Sequence, residues 1–169
     1  MANFAIKDCF NLKFYELGQS TPFMEVDYLN SGNFSLESEK VSAKKKGVDA
    51  ITFAGARTGT LTIESEMSNV QMMAMSLGGN LVGTKIAITD VVPAKFYKVE
   101  GLFKVRTEEG KDIDSTITFY KVSPQPNSEM AFSATDIANF SLTFDLLLDA
   151  NNKMIDMDIP DVNTVKTVK

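Results

Sequence analysis

The chain has 169 residues, of which 44% are hydrophobic and 23% are charged, and its net charge is −5. These values are ordinary for a globular protein, so they argue against disorder, and the length suits one domain with a substantial core. The acidic balance argues against a protein that grips nucleic acid, because phosphate binding requires clustered lysine and arginine. It does not argue against a protein that encloses DNA without binding it.

Two residue counts exclude whole classes of chemistry. The sequence contains no histidine, which excludes Ser-His-Asp and Cys-His catalysis and histidine-ligated metal sites. Cys9 is the only cysteine, which excludes an intrachain disulfide and a zinc site built from several thiolates. We therefore expect no catalytic residue, no metal site and no cofactor.

The sequence gives no sign of a membrane partner. No apolar run approaches the ~18–20 residues that cross a bilayer. The first fifteen residues are interrupted by Lys7, Asp8 and Lys13, so they lack the continuous apolar core of a signal peptide. Synthesis in the cytosol is the simplest expectation.

The first third of the chain has little regular periodicity. Residues 1–20 are predicted to be a first strand or an arm that docks on another surface. After a turn signal at residues 30–32, Phe34 and Leu36 begin an alternating strand. Residues 37–47 show no periodicity typical of burial, and residues 49–54 are a short apolar run. The whole segment, about residues 37–57, is predicted to form an extended loop.

A basic run lies within this loop, made of Lys44, Lys45 and Lys46 and ending at Gly47. One interpretation is a contact with phosphate, an acidic membrane or an acidic partner surface. The alternative is a solvated loop tip, because three lysines are fewer than the about four or five usual in a targeting or lipid-binding cluster.

The segment from Thr58 to Gly79 is a strand followed directly by a short helix. In its first half, Leu61 and Ile63 alternate with polar residues, which is typical of a half-buried strand. The period then changes, and four apolar residues follow at i, i+3, i+4 and i+7, namely Val70, Met73, Ala74 and Leu77. This spacing predicts a helix over about residues 69–77 with that face buried.

The ends of this helix carry their own signals. Ser68 followed by Gln71 predicts a capping box, and Met67 with Met72 has the spacing of a hydrophobic staple. Gly78 or Gly79 is predicted to supply the left-handed residue that ends the helix. Met75 has none of these roles, and we predict that it lies at a subunit contact.

The second half of the chain is predicted to form strands. Residues 95–106 and 112–122 alternate apolar and polar side chains around a turn, which predicts a long hairpin with one polar face. Residues 139–149 alternate in the same way. Glu108, Glu109 and Asp112 lie at the hairpin turn, where no apolar pocket would separate the pKa values of an acid and a base, so they are interpreted as solvated. Almost everything outside the helix is thus predicted to be strand.

The strand–helix unit GTLTIESEMSNVQMMAMSLGG resembles the central element of bacteriophage tail tube proteins, particularly those of contractile tails. The long polar segment before it and the strand FSLTFDLLLD after the hairpin share the resemblance, which spans roughly residues 34–149. Tailocins, other contractile injection systems and type VI secretion use tube proteins of the same fold.

The resemblance implies a single domain over residues 1–169, in which two antiparallel sheets pack into a sandwich or barrel flanked by one helix. It implies a structural protein rather than an enzyme, located in the virion tail and assembled in the host bacterial cytoplasm. Copies would form six-fold rings that stack into the inner tube, through which DNA or an effector passes without specific binding. Sheath, baseplate and tail-terminator proteins would be further partners. The contact candidates between subunits or rings are Lys44, Lys45, Lys46, Glu108, Glu109, Asp112 and Met75.

The sequence is also compatible with a different class of protein. A monomeric β-barrel that binds a small apolar ligand in its interior would have the same alternating strands, with their polar faces turned to solvent. Gel filtration or negative-stain microscopy distinguishes the two, because rings or tubes rule out the monomer.

Overall fold

The computed structural model describes residues 3–27, 29–66, 68–126 and 140–160, apart from the side chains of residues 7–10, 50 and 54. These ranges contain ten strands and one helix. In chain order they are β1 (Phe4–Glu16), β2 (Met24–Val26), β3 (Ser31–Lys45), β4 (Val48–Ser65), α1 (Val70–Ser76), β5 (Asn80–Val82), β6 (Lys85–Ala87), β7 (Tyr97–Thr107), β8 (Asp112–Pro124), β9 (Phe140–Leu147) and β10 (Ile155–Asp158). No helix in these ranges is long and apolar enough to cross a membrane.

Eight strands form one antiparallel sheet that folds over itself. Its order is β2-β1-β7-β8-β9-β4-β3, with β10 beside β8, while β5 and β6 form a separate hairpin. β8 pairs with β9 only from Lys121 to Pro124, and β10 pairs with β8 from Thr116 to Phe119. The sheet bends at this short β8–β9 junction into two layers, β2-β1-β7-β8-β10 and β9-β4-β3.

Apolar residues from both layers meet in one core. Period-2 alternation buries Val99, Phe103 and Val105 on β7 and places the residues between them outward. The partner layer contributes Ile63 and Phe144, which are fully buried. The predicted hairpin is thus confirmed as β7–β8, and the predicted fold is confirmed as two packed antiparallel sheets with one helix. Within the described ranges the barrel is not closed, because β2 and β3 each pair with one neighbour.

The helix has the predicted position, but its cap and its buried face differ from the prediction. Asn69, not Ser68, is the N-cap, and its Oδ1 accepts a hydrogen bond from the Met72 N–H at 2.7 Å. The buried residues are Met72, Ala74, Met75 and Ser76, whereas Val70 is 42% exposed. In a helix of only seven residues, five of which are apolar, periodicity cannot select the face. Met67, assigned to the staple, lies outside the described residues.

Gly78 ends the helix, as the sequence indicates. Its φ is +62°, and its N–H bonds to the Met75 carbonyl while the Gly79 N–H bonds to the Ala74 carbonyl at 2.9 Å. This pair of bonds is a Schellman motif, which satisfies carbonyls at the helix end.

Two segments predicted to be irregular are strands. Residues 4–16, for which a first strand and an arm over residues 1–20 were both expected, form strand β1 and pair with β7 along their length. Register shifts between Lys7 and Cys9 and between Cys9 and Asn11 interrupt the period-2 pattern, so the sequence shows no clear period there. Residues 37–57, expected to be a loop, form the outer parts of β3 and β4.

Candidate assembly surfaces

The outer parts of β3 and β4 project from the sandwich as a two-stranded hairpin, here called the arm (residues 38–57). Its strands pair from Ser38 and Arg57 out to Lys45 and Val48. β9 pairs with β4 only between Gly59 and Ser65, so within the described ranges no third strand supports the arm. At about 3.3 Å per residue, it extends roughly 23 Å beyond the sheet.

One face of the arm is apolar and exposed. Directly opposed residues of antiparallel strands point to the same face, and Val41 is opposed to Phe53 while Ala43 is opposed to Ile51. Val41, Phe53 and Ile51 are 63%, 62% and 57% exposed. The other face is polar, and the hydroxyls of Ser42 and Thr52 lie 3.3 Å apart. A two-stranded ribbon with such an apolar face is typical of a surface that is covered by a partner.

The predicted basic run forms the tip of the arm. Lys46 and Gly47 have φ of +54° and +84°, the left-handed conformation of a tight hairpin turn. Lys44 is opposed to Asp49, and all three lysines are exposed. In the described part of the chain none of them forms an ion pair.

The predicted acidic contact residues lie together at the β7–β8 turn, away from the arm in the sheet order. Glu108 Oε1 accepts a hydrogen bond from Asn3 Nδ2 at 2.7 Å. Asp112 accepts from both Nε and Nη2 of Arg106, the latter at 2.8 Å, and this pairing raises the pKa of the exposed Arg106. No described contact joins this turn to Lys44, Lys45 or Lys46.

Met75 does not fit the role that the sequence indicates. Its side chain is 6% exposed and belongs to the core cluster. The helix is rotated relative to the predicted face, so Met75 points inward and is not available to a neighbouring subunit. The subunit-contact prediction for Met75 is wrong.

A face rich in hydroxyl groups covers the outside of the β9-β4-β3 layer, a feature that the sequence analysis did not single out. Ser35 and Thr60 hydroxyls lie 3.0 Å apart, and those of Thr62 and Thr143 lie 3.2 Å apart. In the sequence, the alternation of threonines with the buried Leu61 indicates this face. The three segments that form this hydroxyl face, residues 31–37, 58–64 and 141–145, contain three carboxylates and no lysine or arginine.

A polar network on the other layer is a candidate for acid–base chemistry. The Tyr15 hydroxyl donates to Glu100 Oε2 at 2.9 Å, and Lys98 Nζ donates to Glu100 Oε1 at 2.6 Å. Burial and the contact with Glu100 raise the pKa of Tyr15 to about 12. Burial acts to raise the pKa of Glu100, but hydrogen bonds from Lys98 and Tyr15 outweigh it and lower that pKa. Both pKa values move away from neutrality, which suits a structural contact and not proton transfer at pH 7.

An apolar cavity of about 400 Å³ opens between the two layers beside the start of β3. Its walls include Phe34, Ile63, Phe103, Phe119 and Met157. Its polar lining comes from one short segment, residues 30–33, and no charged residue lines it. Among the described residues, no three cysteine or acidic side chains converge to hold a metal ion.

Comparison with known proteins shows a similarity in fold but no match in sequence. No known family model and no curated protein sequence matches this chain. Among solved structures, a chain of the six-fold symmetrised baseplate of the anti-feeding prophage matches with a TM-score of 0.52 and 14% identity, over 96% of this chain and 99% of that one. A chain of the sheath–tube complex of PVC, an extracellular contractile injection system, matches with a TM-score of 0.43 and 12% identity, over 89% of each chain. The chain therefore has the fold of a component found in the anti-feeding prophage baseplate structure.

Proposed function

We propose that this chain is a tail-tube protein: a structural subunit that forms six-fold rings, which stack into the inner tube of a phage tail or related contractile injection machine. The observation that carries the proposal is the arm, whose apolar face has no partner among the described residues of its own chain. The fold shared with a component of a six-fold symmetrised injection-machine baseplate supports the same class of assembly.

The free edge of β3 adds a second reason to expect self-association. β3 is 15 residues long and pairs with β4 alone within the described ranges. Long unpaired edges are hazards that proteins cover or shorten, and a ring of identical subunits covers them. The arm and the β3 edge together give each copy an extended surface to offer its neighbours.

The hydroxyl face suits the wall of the lumen. A surface with hydroxyls and three carboxylates but no cation offers hydrogen bonds to water and no attraction for phosphate. DNA or an effector would then move along it without specific binding. We propose that the β9-β4-β3 layer faces the lumen, with the β2-β1-β7 side toward the outside of the tube.

Contacts between rings would join the oppositely charged turns of two hairpins, the tip of the arm in one copy and the β7–β8 turn in another. Lys44, Lys45 and Lys46 at the tip of the arm would meet Glu108, Glu109 or Asp112 of another copy. Sheath, baseplate and tail-terminator proteins would be the other partners, in a tail assembled in the bacterial cytoplasm. The role is structural and requires no catalysis.

The cavity favours one second candidate function. Its volume of about 400 Å³ and its apolar walls would suit a monomeric protein that binds a small apolar ligand. In that case the arm would remain exposed in the functional protein, which leaves its apolar face without explanation.

Sedimentation velocity over a concentration series tests the proposed function. We expect the purified chain to shift from slowly sedimenting subunits to rings and longer particles as concentration rises. The matched pair Phe53→Ser and Thr52→Ser changes opposite faces of the arm, and only Phe53→Ser should suppress assembly. A wild-type chain that stays monomeric at all concentrations and salt conditions would favour the small-ligand protein.

A further inference from the structure

We propose that the arm of one copy inserts its apolar face into the cavity of a neighbouring copy. The inference rests on the proposed function and names the receptor for the arm within the assembly. The inserted side chains are Val41, Ile51 and Phe53, and the receptor is the cavity between the two layers beside the start of β3.

The arm cannot fill the cavity of its own chain. Phe34 lines the cavity, and Val41 lies seven residues further along the same strand, beyond the register shift between Ser38 and Lys40. At about 3.3 Å per residue, this spacing places the apolar face of the arm roughly 23 Å from the cavity. The pairing of β3 with β4 continues through the arm and prevents it from folding back. An arm that occupies the cavity must therefore come from another copy.

The chemistry of the cavity fits side chains better than a free ligand. Binding sites for small molecules usually place a few polar groups around the ligand to fix its orientation. Here the polar lining is confined to residues 30–33 at one side, and the remaining walls are aliphatic and aromatic. A hairpin brings its own hydrogen-bonded backbone and presents only apolar groups, so it needs no polar partner inside the cavity.

The charges beside the cavity complement the arm. Ser31, which lines the cavity, donates from Oγ to Glu64 Oε2 at 2.9 Å. The Glu64 carboxylate is therefore close to the opening, while the arm carries three lysines beyond its apolar face. Electrostatic complementarity of this kind favours one orientation of docking over others.

The contact joins two different surfaces of the same chain. Such a heterologous contact repeats from copy to copy and produces either a closed ring or an open helical stack. Each inserted arm leaves its own copy's cavity free for the next arm. Copies of one chain can therefore assemble without a self-complementary surface.

Cysteine cross-linking between copies tests the inference. In a Cys9→Ala background, one protein carries Gly32→Cys and another carries Phe53→Cys. Gly32 lines the cavity opposite the buried Ile63, and a Cβ added there meets no atom within 4 Å. After mixing, assembly and mild oxidation, we expect a disulfide-linked dimer on a non-reducing gel. Thr52→Cys, on the other face of the arm, is the matched control and should give none, while Ile51→Cys should reproduce the result.

Electron microscopy of the same samples separates this inference from the proposed function. Tubes without the cross-link would overturn arm docking and leave the tube function standing. Wild-type protein without rings or tubes would overturn both. An internal disulfide between Gly32→Cys and Val165→Cys in the monomer would assign the cavity to the chain's own C-terminal residues. Undiminished binding of an apolar fluorescent dye after assembly would assign it to a small ligand. Either result would overturn the inference.

Discussion

The rings of Phe14 and Phe144 pack against each other with their centroids 5.7 Å apart, although their strands, β1 and β9, are separated in the sheet by β7 and β8. Both side chains are fully buried. Phe34 of β3 and Phe119 of β8 make a second such contact at 5.8 Å. These contacts hold the two layers of the folded sheet together, so the core depends on aromatic residues that are distant in strand order.

Replacing Phe144 tests this role of the aromatic core. Phe144→Ala should lower the free energy of unfolding by about 3–5 kcal/mol, because it removes a fully buried ring and leaves a cavity between the layers. Phe53→Ala is the control, since this ring is 62% exposed and its loss should cost less than about 0.5 kcal/mol in the isolated subunit. Urea unfolding of both variants under non-assembling conditions gives the comparison. Equal losses would show that the layers do not rely on Phe144.

The helix cap gives a second test, on two adjacent residues. Asn69→Ala should reduce subunit stability by about 0.5–2 kcal/mol, because the Met72 N–H loses its acceptor. Ser68→Ala should have little effect, since the one hydrogen bond of the Ser68 hydroxyl among the described residues is to the Asn69 carbonyl, at 3.3 Å. Thermal or urea unfolding measures both. A larger loss of stability for Ser68→Ala than for Asn69→Ala would show that Ser68 caps the helix, as the capping box predicts.

Stability should fall at alkaline pH through Tyr15. Its pKa is raised from 10.0 to about 12 by burial and by the hydrogen bond to Glu100. The folded chain therefore holds this proton more tightly than the unfolded chain. The resulting stabilisation is complete below pH 10 and is lost as the pH rises toward about 12.

Tyr15→Phe is the matching variant for the alkaline test, because it keeps the ring and removes the ionisable group. The urea midpoint of the parent chain should drop more steeply between pH 10 and about 12 than that of the variant. Tyr97, whose pKa is also raised by burial, remains in both chains. Parallel curves would contradict the assignment to Tyr15.

The lysines at the tip of the arm should control stacking rather than folding. Replacing Lys44, Lys45 and Lys46 with glutamate should leave the subunit folded, since all three are exposed, but should shorten or abolish tubes. A single exposed ion pair contributes only ~0.2–1 kcal/mol, yet such pairs recur at every stacking step. High salt should weaken wild-type tubes in the same direction.

Replacing the same three lysines with arginine is the charge-conserving control and should leave tube length unchanged. If the lysines instead grip DNA in the lumen, the glutamate variant should form ordinary tubes with altered DNA passage. If the glutamate variant forms tubes of ordinary length and salt resistance, and DNA passage is unaltered, the lysines only form a solvated turn.

The parts of the fold that sequence reasoning predicted are those in which one face of an element is buried. The β7–β8 hairpin and the strand around Leu61 and Ile63 alternate because they border the core. The glycine stop of the helix was also predictable, because a left-handed residue favours glycine. Burial and backbone conformation leave these local signals in the sequence.

The parts that sequence reasoning missed lack such a one-sided environment. The described side chains of the arm are exposed on both faces of its strands, so residues 37–57 show no burial pattern even though they form a hydrogen-bonded hairpin. β1 is interrupted by register shifts that break its alternation. The helix is too short and too uniformly apolar for periodicity to select a face, which placed Met75 outside when it lies inside. Of the predicted contact residues, the acidic ones do lie together at one turn.

Cryo-electron microscopy of the assembled wild-type protein is the decisive experiment on the proposed tube. We expect stacked rings of six copies around a lumen, with Thr60, Thr62 and Thr143 of the hydroxyl face on the inner wall. We also expect that the arm of each copy, residues 38–57, contacts another copy. Particles that are single subunits at every concentration, or rings whose lumen is lined by the β2-β1-β7 side, would contradict this proposal.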